Sequence, residues 1–160
     1  MDTRQQFFDQ LIDRDLGMLR TAAYRILGNA FDADEAIQQA LLTAWRKFDS
    51  FRHHAKPSSW LYRITVNSSY DMLRRKQRER RKLDEYAGQI PEPAKPDARL
   101  EELELAIAEL PALYREAISI GYLSGLDGEK AAAILECPVN TLHQRVHKAK
   151  QLLKQKMERL

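Results

Sequence analysis

Apolar residues recur at three- and four-residue spacing along most of the chain. Phe7, Phe8, Leu11, Ile12, Leu16, Leu19, Ala22, Ala23 and Ile26 define a first amphipathic helix, and Gly28-Asn29 closes it in the manner of a helix C-cap. Asp32 or Asp34 is placed to cap a second helix, whose apolar stripe is Ala36, Ile37, Ala40, Leu41, Ala44, Trp45 and Phe48. Residues 49–59, with Pro57 and two serines, read as a loop. Trp60, Leu61, Ile64, Asn67, Ser68, Asp71 and Met72 then return to helical spacing, and this helix runs into a basic stretch. Gly88, Pro91, Pro93 and Pro96 break the periodicity and mark a flexible linker. Beyond it, Leu100, Leu103, Ile107 and Leu110 start a new amphipathic set that Pro111 interrupts, and helical stretches follow over 112–122, 128–135 and 138–157. No repeat and no strand pattern stands out. The prediction is an all-α protein of two small helical units joined by a tether.

Composition narrows this picture little. At 160 residues, 44% hydrophobic and 31% charged, the chain can build a core, and it is too apolar for wholesale disorder. The lone Cys137 excludes an internal disulfide framework and suits a reducing compartment. The longest apolar run, Ala131 to Leu135, is far short of the roughly 20 residues of a membrane helix. The start of the chain, Met1-Asp2-Thr3-Arg4, leads into no apolar signal core. A cytoplasmic protein with no membrane insertion is expected.

Charge changes the picture once it is counted locally. The net +3 averages +1 over residues 1–70, +3 over 71–99, −6 over 100–136 and +5 over 137–160. Arg74 to Lys82 alone carries seven positive charges against one Glu. Solvated helix faces account for one such run; two basic blocks beside acidic segments point to a polyanionic partner.

The C-terminal block has the layout of a helix-turn-helix. Asp127 can cap the short helix 128–135, a tight break follows at Glu136-Cys137, and Pro138 suits the first turn of the next helix. In that helix Leu142, Val146, Ala149 and Leu153 share one face, which leaves Thr141, His143, Gln144, Arg145, His147, Lys148 and Lys150 off it. Amides and cations near the start of a helix are what base edges and phosphates require, although an ordinary surface helix of a bundle has the same division. His143 and His147 at i, i+4 lack the remaining ligands of a zinc site, since Gln144 stands where the catalytic motif has Glu and only one Cys exists. Cys137 reads as a small buried hydrophobe. Neither a metal nor a cofactor is expected, and with no phosphate-cradling glycine loop or nucleophile–base set, no enzyme activity either.

The run Phe51…Trp60-Leu61-Tyr62-Arg63-Ile64…Asn67…Asp71…Arg74-Arg75, with Ala33-Asp34-Glu35-Ala36-Ile37-Gln38-Gln39 upstream, resembles region 2 of extracytoplasmic-function (group 4) sigma factors of the sigma-70 family. Leu110-Pro111…Arg115 and Cys137-Pro138-Val139-Asn140-Thr141-Leu142…Arg145-Val146…Lys148-Ala149-Lys150 resemble region 4 of the same family. The match spans nearly the whole chain in the family's order. It implies region 2 over 1–78, a linker over 79–99 and region 4 over 100–160, with no extra region 3 domain.

The resemblance also implies roles. Asp34, Glu35, Gln38 and Gln39 correspond to the face that docks on the clamp coiled coil of core RNA polymerase, with helix capping the competing role for the two acids. Phe51, Arg52, His53, His54, Lys56, Trp60, Arg63 and Asn67 correspond to the holder of the melted minus-ten strand. Bases there stack on aromatics and pair through exposed edges, while Trp60 also suits a place in the core. Arg74, Arg75, Lys76 and Arg78 correspond to duplex phosphate contacts. Asn140, Thr141, His143, Gln144, Arg145, His147 and Lys148 correspond to the minus-thirty-five reader. The chain departs from the family's common residues at Glu35, Asn140, Gln144, Lys148 and Lys150. Lysine lacks the two-pronged grip of arginine, so base preference does not carry over. The implied partners are core RNA polymerase, promoter DNA and an anti-sigma factor, and the implied function is transcription initiation. A stand-alone helix-turn-helix regulator explains only residues 100–160, and a degenerate sigma-like interaction protein keeps the partner surface without initiating.

Overall fold

The computed structural model describes residues 3–51, 56–86 and 98–159. Seven α-helices run α1 (Thr3–Leu27), α2 (Ala30–Arg46), α3 (Pro57–Tyr86), α4 (Ala98–Ala108), α5 (Ala112–Ile118), α6 (Gly128–Ile134) and α7 (Val139–Glu158). A 3₁₀ turn (Phe48–Ser50) follows α2, a π-helical turn (Ser119–Leu123) extends α5, and the described residues contain no strand. The all-α, two-unit reading of the periodicity holds.

The first unit is a bundle of α1, α2 and α3. Gly28 takes φ +79°, a backbone conformation that costs glycine little, and so ends α1. The cap of α2 is Asn29, not Asp32 or Asp34: its side chain accepts from the Asp32 N–H at 2.9 Å and donates to the Asp32 carboxylate at 2.6 Å. Asn29 precedes the first buried apolar position, Ala33, by a full turn, which places both acids inside the helix. Ala36, Ala40 and Ala44, all at 0% exposure, form a smooth strip down α2 that lets the neighbouring helices approach closely. Leu19, Leu61, Val66 and Tyr70 fill the centre, and the three aliphatic side chains each contribute about 1.5–3 kcal/mol by leaving water.

Two features tie down the start of α3. Phe7, Phe8, Trp45, Phe48, Phe51 and Trp60 form a chain of ring contacts, closed by Phe51 stacked on Trp60 at 4.6 Å. Buried Asp15 accepts from the Ser58 hydroxyl at 2.6 Å. The helix therefore begins at Pro57, earlier than the loop predicted through residue 59, because proline suits a first turn where no N–H is needed. It also continues past residue 78 to Tyr86, so the whole basic block is helical. The glycine- and proline-containing stretch read as a linker lies, for residues 87–97, outside the described residues.

In the second unit, α4, α5 and α6 pack on α7. The hydrophobic core is nonetheless continuous through the molecule, because α3 also packs against α4, α5 and α6.

Candidate nucleic-acid interface

The helix-turn-helix is built as its residues require. Asp127 caps α6, accepting from the Lys130 N–H at 2.8 Å. The helix ends with Glu136 at φ +56°, where the Glu136 N–H donates to Ala133 O and the Cys137 N–H to Ala132 O, the paired closure of a Schellman turn. Pro138 is the cap of α7 and ends the turn at once. Leu142 and Ala149 are fully buried and Leu153 nearly so, while Val146 is half-buried. A Cβ on Gly121 would stand 2.8 Å from Leu142 Cδ1, so this glycine is what lets α7 lie so close to the turn after α5. Asn140, His143, Gln144, His147 and Lys148 face solvent, and Thr141 and Arg145 are half-buried beside them. His147 shares a 3.2 Å hydrogen bond with Gln151, and the Lys150 ammonium lies 3.8 Å from the centre of the Tyr122 ring.

The residues assigned to the minus-ten contact, on α3 and in the segment before it, are differently placed. Phe51 is 8% exposed, so its ring is packed inward instead of offering an open stacking face, and half-buried Trp60 stacks on it. Lys56 is exposed; Arg52, His53 and His54 lie outside the described residues. Arg63, Asn67 and Arg74 all face the second unit. Arg63 is paired with buried Glu116 of α5, and Arg74 donates to the Ala108 carbonyl at the end of α4 and to Asp71. The Asn67 carbonyl oxygen accepts from the Arg115 guanidinium at 3.3 Å.

A polar cluster lies beside these contacts. Arg25 of α1 pairs with Glu104 of α4 at 3.2 Å and donates to the Ser119 hydroxyl at 2.7 Å. The Tyr70 hydroxyl lies 3.0 Å from Glu104 and 3.2 Å from Ser119. Burial pushes the Glu104 carboxyl above its ordinary range, against the pull of Arg25 and Tyr70. Burial, reinforced by Glu104, drives the Tyr70 phenol up to about 12. Arg80 and Glu101 add a more exposed pair at 3.6 Å between α3 and α4. Sequence reasoning singled out none of Arg25, Tyr70, Glu104 and Ser119, because these polar residues sit on four separate segments and only tertiary packing joins them.

The outer face of α2 is open. Asp34, Gln38 and Gln39 are exposed and Glu35 is half-buried. Asp34 meets Arg20 at 3.3 Å and Glu35 meets Arg75 at 3.5 Å, both weak surface pairs. Lys76, assigned with Arg75 to phosphate, instead pairs with Asp32. Burial pushes the Asp32 carboxyl up, but Lys76 and Asn29 outweigh it and hold it below the usual carboxylate value. Sequence reasoning passed over Phe31, 79% exposed on this same face, and Leu42, 49% exposed. The available signal was their position off the buried stripe of α2.

Among the described residues no helix is long and apolar enough to cross a membrane. No group of three or more His, Cys, Asp or Glu side chains among them could hold a metal ion.

Two family patterns match the chain: sigma-70 region 2 over residues 11–79 and sigma-70 region 4 over residues 100–153. The chain is 29% identical over 171 aligned positions to the ECF RNA polymerase sigma factor SigW of Bacillus subtilis (strain 168), covering 98% of this chain and 91% of that one. It is 32% identical over 144 positions to the ECF RNA polymerase sigma-E factor of Escherichia coli (strain K12), covering 81% and 75%. Among solved structures it resembles the sigma factor RpoE of Bartonella quintana, crystallised with the anti-sigma factor NepR, with a TM-score of 0.53, 30% identity and coverage of 96% and 98%. CnrH, solved with the cytosolic domain of CnrY, shares the fold at a TM-score of 0.52 and 24% identity, over 96% of this chain and 89% of that one.

Proposed function

Because this chain belongs to the extracytoplasmic-function sigma factors of the sigma-70 family, we propose a division of its promoter and polymerase contacts among three helices. The protein is a non-catalytic initiation factor that directs core RNA polymerase to promoters. Residues 1–78 act as region 2 and residues 100–160 as region 4, with 79–99 as the tether. The outer face of α2, through Asp34, Glu35, Gln38 and Gln39, docks on the polymerase clamp. Arg63, Asn67 and neighbouring groups on α3 hold the melted minus-ten strand against the Phe51–Trp60 wall, and Arg74 and Arg75 track duplex phosphates. On α7, Asn140, Thr141, His143, Gln144 and Arg145 enter the minus-thirty-five major groove, with His147 and Lys148 toward phosphate. An anti-sigma factor covers these surfaces when the inducing signal is absent, as supported by the Bartonella relative's capture with its own.

The observation that carries this reading is the open polar face at the start of α7. Its amides and cations stand clear of the buried stripe that anchors the helix. Run-off transcription with purified core polymerase tests it directly. Initiation from specific promoters is expected. Duplex binding with no effect on polymerase would instead mark a stand-alone regulator, and polymerase binding with no initiation a degenerate relative.

Two substitutions test the assignments residue by residue. Asn67→Ala should lower open-complex formation roughly tenfold, the worth of one or two hydrogen bonds, and leave duplex binding nearly unchanged. Permanganate footprinting beside a gel-shift measurement separates the two, and equal losses would remove Asn67 from the strand pocket. Gln144→Ala should cost about 1–3 kcal/mol at one or two minus-thirty-five positions and relax preference there. A uniform drop across a library of sites would place Gln144 on phosphate alone.

A further inference from the structure

The buried stripe of α1 runs Phe8, Leu11, Asp15, Leu19, Ala22 and Ile26, so a carboxylate stands where the spacing calls for an aliphatic side chain. An acid withdrawn from water costs free energy unless it is paired and hydrogen-bonded. Asp15 accepts from the Ser58 hydroxyl at 2.6 Å and pairs with the Arg14 guanidinium at 3.3 Å. Arg14 also donates to the Ser58 oxygen at 2.6 Å, so the three side chains close a ring between α1 and the first turn of α3. A well-packed aliphatic pair at positions 15 and 58 would serve stability as well or better. Stability therefore does not account for the acid.

Its place against α3 does. Ser58 heads the stripe that α3 turns inward, ahead of buried Leu61, Tyr62, Thr65 and Val66. The hydroxyls of Thr65 and Ser69 turn back to carbonyls of α3 itself, each at 2.8 Å, whereas Ser58 donates to α1. Apolar contacts are non-directional and tolerate sliding, but a hydroxyl held between one acid and one guanidinium is satisfied in a single register. A slip of one residue would turn every α3 side chain by about 100° and move it by about 1.5 Å. Trp60, Arg63 and Asn67, spaced by three and four residues, would all turn with it. The helix also needs a tie from elsewhere at this end. Lys56, just before Pro57, has only donors in its side chain and cannot cap it, and a carboxylate suits the positive end of a helix.

We propose that Asp15 is a positioning residue for promoter opening. Through Ser58 it fixes the register of α3 against α1, and with it the face of Trp60, Arg63 and Asn67 that meets the melted strand, while touching neither DNA nor polymerase itself. This deepens the functional reading above and rests on its assignment of that face.

The test uses the full chain with core polymerase, on a promoter that the parent holoenzyme selects from a random-sequence library and on the same promoter with its minus-ten element substituted. Asp15→Leu combined with Ser58→Ala replaces both partners by apolar groups. Its melting temperature and polymerase affinity should stay close to the parent's. The ratio of run-off product from the two promoters should nonetheless fall roughly tenfold, the scale of one misdirected hydrogen-bonded contact. A smaller folded fraction would lower both products alike and leave the ratio unmoved. Ser58→Thr, which keeps the hydroxyl, should keep the ratio. Ser58→Ala alone should lower it, so the test survives a double variant that fails to fold. With Trp45→Phe as background, Trp60 is the one tryptophan left, and its quenching by acrylamide should change in the double variant and not in Ser58→Thr.

A parental ratio in the variants that lose the hydroxyl would overturn the proposal, as would equal losses from both promoters or a Ser58→Thr chain that behaves like Ser58→Ala. If the parent selected no promoter at all, the initiation reading would fail and take the promoter role of Asp15 with it, and a changed Trp60 signal would then mark a purely structural tie.

Discussion

Leu142→Ala is expected to abolish minus-thirty-five binding while leaving the first unit folded and able to bind polymerase. Leu142 is completely buried, and it is the α7 side chain that meets the turn after α5 at Gly121. Truncation there removes about 2–5 kcal/mol, the usual range for a buried leucine left as a partly collapsed cavity. A helical unit of this size has roughly 3–9 kcal/mol to lose, at about 0.05–0.15 kcal/mol per residue. The substitution therefore takes a large part of what holds α7 in place. It touches none of the exposed residues that would meet bases, so its effect on DNA would come wholly from lost positioning. Two melting transitions in place of one are expected by calorimetry, with the lower one displaced by several degrees. Gln144→Ala, at an exposed position two residues away, should move melting hardly at all. If Leu142→Ala bound the duplex as well as the parent, the buried stripe of α7 would not be what orients the reader.

That stripe was fully legible in the sequence. Leu142, Val146, Ala149 and Leu153 recur at four, three and four residues, and a spacing of that kind fixes which side of a helix faces inward whatever the partner is. The caps were less legible. Asp127 is recognisable as a cap from its position alone, whereas Gly28-Asn29 reads as the end of α1 although Asn29 also caps α2. With only two residues between the helices, one polar side chain serves as both a stop and a start. The beginning of α3 is hidden for a related reason. Pro57 and the serines carry turn chemistry, and the tie that draws them into the helix comes from Asp15, far away in sequence.

The strand face shows the deeper limit. Asn67 stood out as an amide on an otherwise apolar face, and Arg63 and Arg74 as cations beside it. The local charge count set an acidic stretch after a basic one. What no local pattern contained was that the two meet. Arg63 with Glu116, Asn67 with Arg115 and Arg25 with Glu104 join residues 48 to 79 positions apart. Contacts of that reach depend on how two separately legible units come together.

The second large effect is expected at the outer face of α2, where Phe31→Ala combined with Asp34→Arg should weaken core polymerase binding by roughly 10- to 100-fold, about 1.4–2.7 kcal/mol. Phe31, Glu35, Gln38 and Leu42 succeed one another by four, three and four residues, with Asp34 alongside, so they line one side of the helix opposite the Ala36, Ala40 and Ala44 strip. At 79% exposure Phe31 contributes almost nothing to the fold, and water gains from its being covered only when a partner arrives. An aromatic ring ringed by polar groups is the usual anatomy of an interface anchor, and the acid beside it sets orientation and partner charge. Melting temperature should stay close to the parent's, because neither side chain is buried and the Arg20–Asp34 pair is a surface contact. Anisotropy titration of labelled protein with core polymerase reads the affinity, and Gln39→Ala, also exposed on α2 but apart from Phe31 on the helix, supplies a mild comparison. An unchanged affinity in the double variant would move the polymerase contact off this face. A loss confined to Asp34→Arg, with none from Phe31→Ala, would make the docking electrostatic, and its salt dependence would then rise accordingly.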